Sequence, residues 1–196
     1  MKLILASNNA HKVREFNEIL SPLGIELIPQ SQAGCNFEVD ETGTTFEENA
    51  YLKAAAVTAV TGLAAVADDS GLEIDAMDKA PGVYSARFMG EDTPYAERFK
   101  AIFEKLEGVP EEKRTARFVS CIAAAFPDGR RLTSLDTVEG IIGYEVKGEN
   151  GFGYDPIFFV PEKGRYMAEL SAEEKNAISH RGKALGKMKE LLKKEL

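Results

Sequence analysis

Residues 45 to 71 leave the chain few ways to fold. Thr45-Phe46-Glu47-Glu48 sets a threonine three residues before a glutamate, the pattern with which a helix start satisfies its own unpaired N–H groups. An alanine-rich run follows to about Thr61, and Gly62 supplies the stop. Leu63 to Ala67 then reads as a short apolar strand that ends in Asp68-Asp69-Ser70-Gly71. A helix leading directly into an apolar strand calls for mixed α/β layers, with acids delivered to a strand end.

The flanking sequence extends that pattern. Leu3 to Ala6 is an apolar run that stops at Ser7-Asn8-Asn9, after which Val13, Phe16 and Leu20 recur at helical spacing until Pro22 and Gly24. Ile25 to Ile28 gives another strand, and a loop rich in glycine and acid runs from Ser31 to Thr44. Asp92-Thr93-Pro94 opens a helix with Phe99, Ile102, Phe103 and Leu106 on one face, closed at Gly108. Ala116 to Phe126 and Leu132 to about Val138, joined by Pro127-Asp128-Gly129, predict an antiparallel hairpin. A glycine-dense loop spans Gly148 to Pro156, a strand covers Ile157 to Val160, and Ser171-Ala172-Glu173-Glu174 is a second helix-start box. The tail is helical, with Leu185, Met188 and Leu192 as its apolar side. With no repeat or linker, residues 1 to 196 read as a single mixed α/β domain with two lobes around a cleft.

Charge and cysteine content limit the partners. The 32 acidic against 24 basic side chains give a net charge of −8, and no basic arm is present, which argues against long nucleic acid. A small anionic substrate stays possible, because a phosphate site needs only a few local Lys or Arg and a divalent metal. Cys35 and Cys121 form no zinc pattern and fit a reducing cytosol, and Cys121, in Phe118-Val119-Ser120-Cys121-Ile122, reads as a buried inert thiol. The amino-terminal apolar stretch is too short for a signal peptide or a membrane span, so a cytoplasmic protein is expected.

Five stretches could carry chemistry, each with an ordinary alternative. Ser7-Asn8-Asn9-Ala10-His11-Lys12 exposes N–H groups at a positive helix end and could cradle a phosphate, or could be a helix cap beside a solvated lysine. Asp68-Asp69-Ser70-Gly71 places two carboxylates side by side, which suits a cation nearby or else a solvated turn. Neighbouring side chains of an extended segment point opposite ways, so only one of the pair can aim into a given site. Glu38, Asp40 and Glu41 offer a distant second acid, and Asn49 and Lys53 share a helix face from which Lys53 could reach phosphate or simply be solvated. Gly151-Phe152-Gly153-Tyr154-Asp155-Pro156 could stack a base or form a tight turn with two core aromatics. Ser179-His180-Arg181, after Lys175, could bind phosphate or a purine edge, or be a basic helix junction.

The order and wording of these stretches, together with Asp40-Glu41-Thr42-Gly43, Phe46, Glu48-Asn49-Ala50 and Pro81-Gly82-Val83-Tyr84-Ser85-Ala86-Arg87, closely resemble the inosine triphosphate pyrophosphatase family over nearly the whole chain. The resemblance implies a long mixed sheet bent between two α/β lobes around a central nucleotide cleft. It further implies a homodimer and magnesium-dependent cleavage of ITP, dITP or XTP to a monophosphate and pyrophosphate. On that pattern Asp69 resembles the proton acceptor and a metal ligand, and Glu41 the second metal ligand. Ser7, Asn8, Asn9 and Lys12 match the triphosphate loop, and Lys53, Ser70 and Lys175 the contacts to phosphate or ribose. Phe152, Gly153, Tyr154, Asp155, His180 and Arg181 match the purine pocket, and Arg87 a further substrate contact. This chain departs from the family at Ser7-Asn8, where Thr with Gly or Asn is frequent. It departs again at Gly148-Glu149-Asn150, where Gly-Thr-Gly is frequent, in the loop that presents Phe152. Two rival readings use the same residues: a phosphatase with an aspartyl nucleophile at Asp68 or Asp69, and a nucleotide-binding protein without turnover.

Overall fold

The computed structural model describes residues 2–195. In chain order these form β1 (Lys2–Leu5), α1 (Ala10–Leu20), β2 (Glu26–Pro29), α2 (Phe46–Thr61), β3 (Ala65–Ile74), α3 (Tyr95–Lys105), β4 (Thr115–Ala125), β5 (Arg131–Ile142), β6 (Phe158–Val160), β7 (Arg165–Tyr166), α4 (Ala172–Ile178) and α5 (His180–Leu192). The strands make one sheet in the order β2-β1-β3-β4-β5-β6-β7. β1 is parallel to β2 and β3, while β6 is antiparallel to β5 and β7, so the sheet is mixed as expected. The chain divides into two compact units, one of Met1–Asp69, Ser120–Asp136 and His180–Leu196, the other of Ser70–Val119 and Thr137–Ser179.

The first unit is a three-layer sandwich set by strand alternation. Leu3 and Leu5 of β1, Val66 of β3, and Ile122 and Ala124 of β4 share a core with Phe16 and Leu20 of α1 and Leu185, Met188 and Leu192 of α5. Ile4, Ala65, Ala67 and Ala125 face the other way, onto Ala54 and Val57 of α2. Residues two apart on a strand therefore belong to the same layer, and residues one apart to opposite layers. α2 begins as the sequence requires: Thr45 Oγ1 accepts the Glu48 N–H, the Glu48 carboxylate accepts the Thr45 N–H, and Gly62 closes the helix.

In the second unit one sheet face is apolar. Leu72, Ile74, Ala116, Phe118, Val138 and Ile142 pack with Phe99, Ile102 and Leu106 of α3 and with Tyr154 and Phe158. An ionic cluster forms around Arg117, whose neighbours Ala116 and Phe118 face that core: Arg117 forks onto Asp75 at 3.1 and 3.2 Å and onto Glu139 at 3.1 Å, and Thr115 donates to Asp75 at 2.6 Å.

Three elements differ from expectation. The strand placed at Leu63–Ala67 starts at Ala65 and runs on through Asp68, Asp69, Ser70 and Gly71 to Ile74, so the acids lie inside a strand rather than at its end. β5 continues to Ile142 through Gly140, where a side chain would strike the Phe158 ring and the Phe159 carbonyl. β7 is only two residues long and carries no alternation that could announce it.

Candidate active site

Alternation along β3 sorts the two adjacent aspartates into opposite layers of the first unit. Asp68 lies on the Val66 side, facing α1 and α5; Asp69 lies on the Ala65 and Ala67 side, facing α2. Their surroundings differ accordingly.

Asp68 is saturated. Its carboxylate accepts from Ser120 Oγ at 2.6 Å and from Arg181 at 3.2 and 3.3 Å, and pairs with Lys12 Nζ at 2.8 Å. Arg181 also reaches Glu15 at 2.6 Å, so two carboxylates and two cations neutralise one another in a nearly dry space. Burial alone would raise the Asp68 carboxyl, but Arg181 and Lys12 beside it reverse that and hold it well below the usual carboxylate range. Burial dominates at Lys12 and lowers it, against the pull of Asp68. A lysine in the first turn of a helix opposes the dipole, and Asp68 is what makes the position tolerable. The cap expected there is present: Asn9 Oδ1 accepts from the His11 and Lys12 N–H groups, and Ser7 Oγ accepts from the Asn9 N–H. Asn8 and Asn9 are exposed, Ser7 is half-buried, and Lys12 is drawn inward rather than solvated.

Asp69 is under-satisfied. Its Oδ1 accepts from Lys53 Nζ at 3.0 Å, and the same ammonium lies 2.5 Å from Glu41 Oε1. Asp69 Oδ2 is buried and has no hydrogen-bond partner among the described residues. Burial pushes the Asp69 carboxyl upward; Lys53 opposes this, and Glu41 and Asp68 reinforce it. Two carboxylates share one ammonium on this side. Glu41 is delivered by a loop that α2 itself fixes: Asn49 Oδ1 accepts the Gly43 N–H at 2.8 Å, and Glu48 accepts from Thr44 and Thr45. Glu38 and Asp40, the other acids of that loop, are exposed.

The second unit holds the other group of candidates. Lys175 of α4 pairs with Asp155 at 2.8 Å and lies 4.6 Å from the centre of the Phe152 ring. Asp155 also accepts the Phe152 N–H at 2.9 Å, and a side chain at Gly151, whose φ is +74°, would meet the Asp155 carboxylate. Asn150 fastens the start of this loop through the Ala168 and Leu170 carbonyls. Of the two aromatics Tyr154 is a core residue, packed on Tyr95 and Phe99 with its hydroxyl donating to the Ser85 carbonyl at 2.8 Å, and burial raises its pKa to about 12. Phe152 is half-buried, as is Gly153. Ser70 is half-buried on β3, and Arg87, also half-buried, stacks on Tyr84 at 4.9 Å.

A profile of the Ham1 family matches residues 3–191. The chain belongs to the Ham1 family. It is 52% identical over 192 residues to a dITP/XTP pyrophosphatase of Desulforamulus reducens, covering 98% of this chain and 96% of that one. It is 47% identical over 189 residues to the dITP/XTP pyrophosphatase of Bacillus subtilis, with 96% of each covered. A Ham1 protein of Coxiella burnetii superposes with a TM-score of 0.92 at 44% identity, covering 99% of both chains. The Ham1 protein of Staphylococcus aureus gives 0.91 at 40% identity over the full length of both. The resemblance drawn from the ordered motifs stands.

Within this Ham1 chain the structure gathers Lys12, Asp68 and Arg181 at one cluster and Glu41, Lys53 and Asp69 at another. Arg181, matched to the purine pocket by resemblance, is spent on Asp68 and Glu15 and is only 2% exposed. His180, the first residue of α5, is buried beside it in the chain. Tyr154, matched to the same pocket, is filled by core neighbours. Two residues of the Asp68 cluster are not among the candidates that the sequence offers: Glu15, three positions after Lys12 and so on the same face of α1, and Ser120, the lone hydroxyl in the apolar run Phe118 to Ile122 of β4. Cys121 is buried, and burial lifts its thiol to about 12, as expected of an inert cysteine.

Proposed function

We propose that this chain hydrolyses dITP, XTP and ITP to the monophosphate and pyrophosphate with magnesium, by attack of water on the α-phosphorus. The observation that carries this is the convergence of Glu41 and Asp69 on a single point, with Asp69 Oδ2 buried and unpartnered, in a chain half identical to dITP/XTP pyrophosphatases over its whole length. A buried carboxylate oxygen without a donor is rare unless something else meets it. Among the described residues no group of three or more His, Cys, Asp or Glu side chains converges. Two carboxylates suit a hard cation that keeps several waters and takes its remaining oxygens from phosphates. Glu41 and Asp69 would hold it; bound there, it neutralises phosphate charge and polarises the phosphoryl oxygens.

The chain's own groups do the rest. Asp69, its carboxyl raised by burial, orients the attacking water and takes its proton. Asp68 remains ionised and fixes Lys12 behind the Ser7–Asn9 loop, whose exposed polar groups at the start of α1 suit an anion. Phe152 is the ring for a purine to stack on, steadied by Lys175 and Asp155. Asp68 is a poor nucleophile in this setting, because one of its oxygens accepts from Ser120 and the other is held by Arg181 and Lys12. By the family resemblance the enzyme is assigned as a homodimer acting on the cytoplasmic nucleotide pool; among the described residues no helix is long and apolar enough to cross a membrane. Incubation of the purified protein with dITP and magnesium tests the reading. Pyrophosphate and dIMP are expected; orthophosphate would favour the aspartyl phosphatase, and an unchanged substrate a passive binder.

A further inference from the structure

Lys53 occupies the place where the two carboxylates meet. Its ammonium lies 2.5 Å from Glu41 Oε1 and 3.0 Å from Asp69 Oδ1, on a side chain 15% exposed. It is held there from both directions: α2 carries Lys53 one turn beyond Asn49, and Asn49 binds the Gly43 N–H of the loop that bears Glu41. Without that ammonium, two carboxylates would face each other in a space that excludes most water, an arrangement that costs several-fold more than the same pair in solvent. A divalent ion held by Glu41 and by Asp69 Oδ2 would stand beside the ammonium, which occupies Glu41 Oε1 and the other oxygen of the same Asp69 carboxylate. An ammonium and a dication that close repel too strongly to share the two carboxylates.

We propose that Lys53 is the resident cation of this site: it neutralises Glu41 and Asp69 while no metal is bound, and a divalent ion enters by displacing its ammonium from between them. The displaced group keeps all three N–H donors and is released toward an anionic oxygen of the substrate, so metal entry and freeing of the lysine are one event. Metal affinity without nucleotide is thereby held down, and loading is favoured when a phosphate is present to receive the lysine. The inference rests on the reading of Glu41 and Asp69 as metal ligands.

Manganese(II) titration of the nucleotide-free protein, followed by the paramagnetic resonance signal of the free ion, tests it without any turnover. Lys53→Gln and Lys53→Met should each bind the ion about tenfold tighter or more than the wild type, the expected scale for removing a like charge in a partly buried site. Without metal both should melt at lower temperature than the wild type, and manganese should raise their melting temperature more. Lys53→Gln keeps a polar donor in the side chain should Lys53→Met fail to fold. Asp69→Asn should lose binding. Lys53 variants that bind as the wild type does, or more weakly, while Asp69→Asn loses binding, would overturn the displacement and leave the metal ligands standing. Wild-type affinity in Asp69→Asn would overturn the ligand reading itself.

Discussion

Replacing each of the adjacent aspartates by asparagine should damage two different properties. Asp68 is 3% exposed and faces Lys12, Arg181 and Ser120. Asparagine keeps the shape and removes the charge, which takes one of the cluster's two carboxylates away from Lys12 and Arg181. Breaking a buried ion pair from one side costs about 3–5 kcal/mol. For a chain of this size each kcal/mol moves the melting temperature by about 2–4 °C, so Asp68→Asn should melt about 6–20 °C lower. Because the folded pKa of Asp68 is depressed, its contribution is present above the ordinary aspartate pKa and is lost only as pH falls through the depressed value. The gap between wild type and Asp68→Asn should therefore stay constant from neutral to mildly acid pH. Asp69 has the opposite sign. Its raised carboxyl makes ionisation a cost to the fold at neutral pH, so Asp69→Asn should change stability by less than about 1 kcal/mol while lowering kcat by about a hundredfold or more. Thermal and urea unfolding give the first comparison, and steady-state hydrolysis of dITP the second. A fall of under 1 kcal/mol in Asp68→Asn, or near-normal turnover in folded Asp69→Asn, would refute the division between the two layers.

Two further outcomes concern substrate binding. Asp155→Asn removes the charge opposite the Lys175 ammonium, 6% exposed, and weakens the anchor of the Phe152 loop, so KM for dITP should rise with a loss of about 3–5 kcal/mol in stability, read by unfolding and by initial rates. The ratio of kcat/KM for ITP over ATP should exceed about a hundredfold, because a 6-keto oxygen accepts a hydrogen bond where the 6-amino group of adenine can only donate; equal values would contradict that basis for selection.

Local signals made part of this molecule legible in advance. α2 was fully readable because Thr45, Glu48 and Gly62 act within a few residues of themselves. The end of β3 is not legible in Asp68-Asp69-Ser70-Gly71, which has the composition of a turn; Asp68 becomes tolerable inside a strand through Lys12 and Arg181, 56 and 113 positions away, and Asp69 through Lys53, 16 positions away. Such distant pairings leave no local trace. The opposite orientation of Asp68 and Asp69 was predictable, since it needs only the pleat of a strand, whereas which of them would be saturated depended on which helix covered which face. Tyr154 and Phe152 looked alike for a similar reason: two aromatics in a glycine-rich loop have equal composition, and only the positions of Tyr95, Phe99 and Ser85 make one of them core.

Hydrolysis of dITP in water enriched in heavy oxygen, followed by mass spectrometry of the products, shows whether the water activated at Asp69 attacks the α-phosphorus. The label is expected in the monophosphate and none in pyrophosphate. Label in pyrophosphate, or release of labelled orthophosphate, would contradict it.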